Sequence, residues 1–136
     1  MIPKGQLVMA TRLRTAQRGQ SLVEFALGAI LLFTLIFGII EFGRLIYAYS
    51  VVANAAREGA RFAAVHPSAT WGEVEGEAQA LAVGVLVTVA AYDVDSDEGT
   101  VSVTITHTFT PVTPFAPTVP LSSTARHYLE VRVLGG

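Results

Sequence analysis

From Phe25 to Ile40 the chain reads FALGAILLFTLIFGII, sixteen residues without a charge. Only Glu24 separates this run from Leu22-Val23, so the apolar stretch extends over nineteen residues, Leu22 to Ile40. Wound as a helix it covers about 28 Å, close to the hydrocarbon thickness of roughly 30 Å. A helix apolar on every side belongs either at the centre of a large soluble core or in a membrane. At 136 residues the chain has room for one long helix and one small domain, too little to surround such a helix. The stretch predicts a single membrane span.

Its flanks predict the orientation. Lys4, Arg12, Arg14 and Arg18 precede it with no acid among residues 1–19, while Glu41 and Arg44 just beyond it cancel. Basic flanks resist translocation, so the expected arrangement keeps the N-terminus in the cytoplasm and sends the body outside the cytoplasmic (inner) membrane. A secretory signal also joins a basic head to an apolar run, but that run is about 7–15 residues long and ends at a small-residue cleavage site. Here EFGRLIYAYSVVANAAREGARFAAV follows without such a break, so the span is expected to be retained.

The formal net charge is −2, with 51% hydrophobic and 15% charged residues. Typical soluble chains carry about 25% charged residues, and the deficit here is concentrated in the span. Beyond residue 19 the chain has five arginines against all eleven acids. Such a body repels phosphates, which excludes nucleic acid as a partner. With no cysteine there is no disulfide, no thiolate zinc site and no thiol nucleophile.

Glu24 stands two residues inside the apolar start. A carboxylate at the centre of a membrane helix costs about 2.5–3.5 kcal/mol, and less near the interface. It either reaches the headgroups, with an acid also favoured near a helix N-terminus, or meets a partner's positive charge in an assembly.

Residues 41–65 favour helix, with no proline and two glycines. Val52, Ala55, Ala56, Gly59, Phe62 and Ala63 recur at spacings of three and four, giving a stripe of mostly small residues that admits close approach of another element. That element is the chain's own C-terminal domain or a neighbouring subunit's helix, and the two can coexist along different turns. Glu41–Arg44 and Glu58–Arg61 have i,i+3 spacing and are expected to pair. His66-Pro67 ends the helix.

Beyond it, Trp71–Ala82 reads as an amphipathic helix, with Thr70 as N-cap and Glu73 completing a capping pattern. Strands are predicted at Val85–Val94, Thr100–Thr110 and Leu121–Val133, where β-branched residues cluster or alternate with Ser and Thr. Pro111, Pro114, Pro117 and Pro120 predict an extended, polyproline-like crossing before the last strand. The fold expected is α+β: a long N-terminal transmembrane helix that extends into a small outer domain with a short helix and a three-stranded antiparallel sheet. The domains are a basic leader at 1–19, a long helix at 20–65 that spans the membrane at about 22–40, and the outer domain at 66–136.

Little points to chemistry. Asp93, Asp95 and Asp97 alternate like a calcium loop, but the glycine falls one place late and Thr104 stands where the twelfth-position Glu is needed. An acidic hairpin turn is the better reading. His66, His107 and His127 have no metal-ligand spacing, and no serine has a base partner at a recognisable spacing. The sequence argues for no enzyme, no cofactor, no metal and no small-molecule substrate.

Three further stretches carry a resemblance: Gly19-Gln20-Ser21-Leu22-Val23-Glu24-Phe25, Glu41-Phe42-Gly43-Arg44, and Asn54-Ala55-Ala56-Arg57-Glu58-Gly59-Ala60-Arg61. With them the chain resembles the TadE-like family of tight-adherence (Flp) pilus systems, strongly over residues 18–65 and more loosely toward the C-terminus. The resemblance implies a minor pilin or pseudopilin that takes part in pilus biogenesis or a related secretion filament. Its implied partners are a prepilin peptidase cutting between Gly19 and Gln20, other pilin-like subunits and the pilus assembly machinery. It also implies that Glu24, fifth residue after such a cut, is the carboxylate that meets a neighbour's N-terminal ammonium. The alternative is a stand-alone membrane-anchored module whose outer domain binds a ligand or surface.

Overall fold

The computed structural model describes residues 4–114 and 116–130, with side chains from residue 19 onward. The element order is α1 (Lys4–Val65), α2 (Trp71–Leu81), β1 (Thr88–Asp95), β2 (Thr100–Phe109) and β3 (Val119–Tyr128). This is the α+β arrangement expected from the sequence. The chain divides into two compact units, Met1–Ile40 and Glu41–Gly136.

In the first unit, α1 is already helical from Lys4, so residues 19 and 20 lie inside a helix rather than at its start. It contains an 18-residue window of mean hydropathy 2.5, none of which is buried by protein. By length and composition it is able to cross a membrane.

In the second unit the strands form one antiparallel sheet in the order β1-β2-β3. Central β2 alternates cleanly: Val101, Val103, Ile105 and Phe109 are buried on one face. The other face carries Ser and Thr, with Thr104 and Thr124 hydroxyls 2.8 Å apart across the β2–β3 pair. The buried face packs with Val52, Ala55, Ala56, Ala60 and Ala63 of α1 and Val74 and Ala78 of α2 in one apolar core.

β1 begins later than expected, at Thr88, and its register shifts between Val89 and Ala91. The shift has a physical purpose legible in the side chains. Strict alternation from buried Val87 and Val89 would send Ala91 and Asp93 toward the core. The extra residue of a bulge resets the phase. Tyr92 then pairs with Val103 and packs against the core, and Asp93 pairs with Ser102 and is exposed. Partial burial raises the Tyr92 phenol above its ordinary pKa.

The proline connection differs from the extended crossing expected. Residues 112–114 and 116 form bends and a turn, with the Ala116 N–H donating to the Thr113 carbonyl at 3.3 Å. Pro114 follows Thr113 as the second turn residue, where its fixed φ suits a turn better than a long extended run. Pro120 lies within β3, opposite Thr108. An edge strand tolerates a proline because one side of its ladder is unpaired. β3 therefore starts two residues earlier than predicted and is assigned to Tyr128; of the predicted strand end at Val133, residues 131–133 lie outside the described residues.

Candidate functional site

Gly19, Gln20 and Glu24 are all exposed on α1, and among the described residues nothing beyond the adjoining helix turns comes within 4 Å of a Cβ built on Gly19. Leu22, Phe25, Leu31, Phe33 and Phe37 are exposed as well. An apolar surface of this extent marks a site of contact with lipid or with another protein.

The small-residue stripe has a different fate. Ala55, Ala56 and Ala63 are fully buried and Phe62 is half-buried, its ring stacked 4.4 Å from that of His66. A Cβ on Gly59 would lie 3.3 Å from Val103 Cγ1, 3.5 Å from Val74 Cγ1 and 3.7 Å from Ala78 Cβ. Gly59 thus sits where β2 and α2 both meet α1, and a side chain longer than alanine's finds no room there. Ala60 and Ala64, which follow Ala56 at successive spacings of four, are buried too, so the packed face is wider than a one-residue seam. Of the two expected occupants of this face, the chain's own domain covers it. Arg57, Glu58 and Arg61 lie off that face. The Arg61 guanidinium pairs with the Glu58 carboxylate, and this hydrogen bond holds Glu58 below its usual pKa.

A second cluster surrounds the Glu41-Phe42-Gly43-Arg44 segment. Glu41 Oε1 accepts from Arg44 Nη1 at 3.0 Å and from the Val112 N–H at 3.1 Å. The Arg44 guanidinium carbon lies 5.3 Å from the Phe109 ring centroid, a cation–π distance. One turn further on, the Tyr47 hydroxyl donates to the Val83 carbonyl at 2.9 Å. The i,i+3 pair was evident from spacing; its long-range partners were not, because no local pattern marks which backbone N–H a carboxylate will meet.

Gln79 is another residue that sequence reasoning missed. Its side-chain amide donates to the Val85 carbonyl at 3.2 Å and accepts from the Val87 N–H at 2.9 Å, pinning the lead-in to β1. His107 Nδ1 lies 2.6 Å from the Leu86 carbonyl. A carbonyl only accepts, so that nitrogen carries the proton, and the histidine acts as a strut between strand and loop.

In the β1–β2 turn, Asp95 Oδ1 accepts from the N–H groups of Asp97 and Glu98 at 2.9 and 3.0 Å. Gly99 adopts φ +63°, the left-handed conformation that closes the hairpin. Asp93, Asp95 and Glu98 line a shallow polar depression together with Arg126, whose positive charge opposes cation binding there. Among the described residues no three His, Asp or Glu side chains gather as a metal site.

No curated protein and no solved structure matches the chain. Residues 19–61 match the TadE family model, described as TadE-like protein. The matched segment starts at Gly19, takes in Glu24, the whole apolar run and the Glu41–Arg44 pair, and stops at Arg61, before α2 and the sheet. Through this segment, which joins an exposed apolar helix to the helix face that carries the core, the chain is similar to the TadE-like family over residues 19–61.

Proposed function

We propose that this chain is a non-enzymatic minor pilin or pseudopilin, anchored in the cytoplasmic membrane by one helix and serving a Flp-type pilus or a related secretion filament. The observation that supports it best is the coincidence of the TadE-like match with an unburied apolar window that contains no protein-covered residue. In this reading the N-terminus is cytoplasmic, residues 66–136 belong to the outer domain, and a prepilin peptidase cuts after Gly19. The cut removes Lys4, Arg12, Arg14 and Arg18 and frees an amino group on Gln20. That amine has an ordinary pKa of about 7.7–8.0, so much of it is cationic near neutral pH. A neighbour's ammonium then approaches Glu24 at membrane depth, where a lone carboxylate is disfavoured and a pair attracts strongly.

A second reading, an anchored binding module that never joins a filament, draws support from the buried small-residue face. With Ala55, Ala56, Gly59 and Ala63 covered by the chain's own domain, the domain has its core without a neighbour. N-terminal sequencing and intact mass of protein purified from membranes separate the two. A mature chain that begins at Gln20 supports the pilin. One that begins at Met1 in cells with an active prepilin peptidase refutes processing and favours the binding module. A reporter active only outside the membrane, fused after Gly136, tests orientation: activity is expected, and silence there with activity before Gly19 overturns it.

A further inference from the structure

The two edges of the sheet carry opposite charge. β1 and β3 each pair only with β2, so among the described residues each leaves one side of its ladder without a strand. β1 holds Asp93 and Asp95 and no base, whereas β3 holds Arg126 and no acid. The strand register puts these charges at one level. Ser102 faces Asp93 on one side and Arg126 on the other, and Thr100 faces Asp95 and Tyr128 in the same way. Asp93, Asp95, Ser102 and Arg126 line one shallow depression, so they share the polar face of the sheet.

Within one chain the acid and the base do not pair. Asp93 and Arg126 are both exposed, and two strand spacings, about 9.6 Å, lie between them. Among the described residues neither side chain makes a hydrogen bond or an ion pair. The edges are also blunted unevenly. A bulge or a proline weakens an edge as a template for another strand. β1 has its register shift between Val89 and Ala91, and β3 has Pro120, both toward the start of the strand. Residues 91–95 and 124–128 have neither, and they lie level with each other through residues 100–104 of β2. Tyr128, at the end of this stretch, is 80% exposed.

We propose that residues 124–128 of β3 take residues 91–95 of β1 from a second copy of this chain, extending the sheet from one copy to the next. β1 and β3 both run antiparallel to β2 and hence parallel to each other. With the buried faces on one side, the new pair is therefore parallel. Arg126 of one copy then lies one strand spacing, about 4.8 Å, from Asp93 of the next, where opposite charges attract. A second copy is the occupant because each edge carries the charge that the other lacks, at the same level. Pairing β1 with β1, or β3 with β3, leaves Asp93 and Arg126 without an opposite charge. The contact is head-to-tail, so it does not close at two copies. It rests on the sheet alone, and N-terminal processing leaves it untouched.

The chain has no cysteine, so a cysteine pair reports the contact without background. Ala91 and Thr124 are exposed and level with each other, and replacing them keeps both charges. Within one copy they lie two strands apart, beyond the Cα separation of about 7 Å that a disulfide bridges, but across the join they lie about 4.8 Å apart. The full chain carrying Ala91→Cys and Thr124→Cys is oxidised mildly in detergent and run on a non-reducing gel. A ladder of dimers, trimers and higher species is expected, with each single-cysteine variant monomeric. Arg126→Glu on this background should cut the ladder several-fold, and adding Asp93→Arg should restore it. No ladder overturns the inference, as do dimers from either single variant, which would mean that an edge pairs with itself. Native mass spectrometry of the unmodified chain gives a second reading, with folding of each variant followed by circular dichroism. Oligomers that Arg126→Glu disperses support the contact. A monomer, or oligomers indifferent to Arg126→Glu, as association through the apolar helix alone would give, overturns it.

Discussion

Glu41 and Val112 are 71 residues apart and meet through one hydrogen bond, from the Val112 N–H to Glu41 Oε1 at 3.1 Å. The same oxygen takes Arg44 Nη1, so one carboxylate holds both a neighbour on its own helix and the loop that follows β2. The Glu41 side chain is only 16% exposed, which limits screening by water.

Glu41→Ala should loosen that loop. A hydrogen bond to a charged group contributes about 1.5–3 kcal/mol, and partial exposure places this one near the lower end. The Val112 amide is expected to exchange with solvent markedly faster, and the stability of the domain to fall by about 1.5 kcal/mol. Glu41→Gln keeps an acceptor and should lose less. Unchanged exchange at Val112 in the alanine variant would mean that the bond does not hold the loop.

At Gly59 two effects oppose each other. Gly59→Ala gains about 1 kcal/mol of helix propensity but brings a Cβ to 3.3 Å from Val103 Cγ1, so a near-neutral outcome is expected. Gly59→Leu has no room between Val103, Val74 and Ala78 and should destabilise the domain by about 1–3 kcal/mol or more. Chemical denaturation of the detergent-solubilised protein reads both. A leucine variant with full domain stability that fails only in assembly would show that this face serves a neighbouring subunit.

Acid should act on the start of α2. The Glu73 carboxylate accepts from the Thr70 N–H at 2.7 Å and the Thr70 hydroxyl at 2.8 Å, and these bonds lower its pKa below the ordinary glutamate value of about 4.3. A depressed folded-state pKa means stability present above the unfolded value and lost as pH falls through the folded one. The α2 N-terminus should therefore fray on acidification below about pH 4.3. Glu73→Gln should remove that contribution to the pH dependence. Exchange of the Val74 amide, followed against pH in both proteins, distinguishes the outcomes; identical profiles would rule the cap out as the cause.

Gly19 and Glu24 separate processing from assembly in the proposed pilin. Gly19→Leu should block cleavage and leave the nineteen leading residues in place. Glu24→Gln should permit cleavage and membrane insertion yet impair assembly with other pilin-like subunits. Intact mass reports the first effect, and co-purification with filament subunits the second. Normal assembly of Glu24→Gln would remove the carboxylate–ammonium pairing from the mechanism.

The amino-acid sequence by itself determined the elements whose cause is local. The stretch Leu22–Ile40, charged only at Glu24, makes a helix of membrane length from local sequence alone. Thr70 and Glu73 begin α2 because the capping bonds span three residues, and the alternation from Val101 to Phe109 marks a strand with one buried face. The TadE-like reading was likewise legible, because its motifs are contiguous along α1. Tertiary structure decided what depends on partners distant along the chain. The bulge near Ala90 exists because Tyr92 fits against the core and Asp93 does not, a choice settled only once β2 and α1 are in place. The stripe at Gly59 could have met any close-packed neighbour, and Val103, Val74 and Ala78 are the atoms that fill it. The sequence shows that Glu41 pairs with Arg44, but only the folded chain brings Val112 to the same oxygen, since a lone backbone N–H leaves no mark in composition or period.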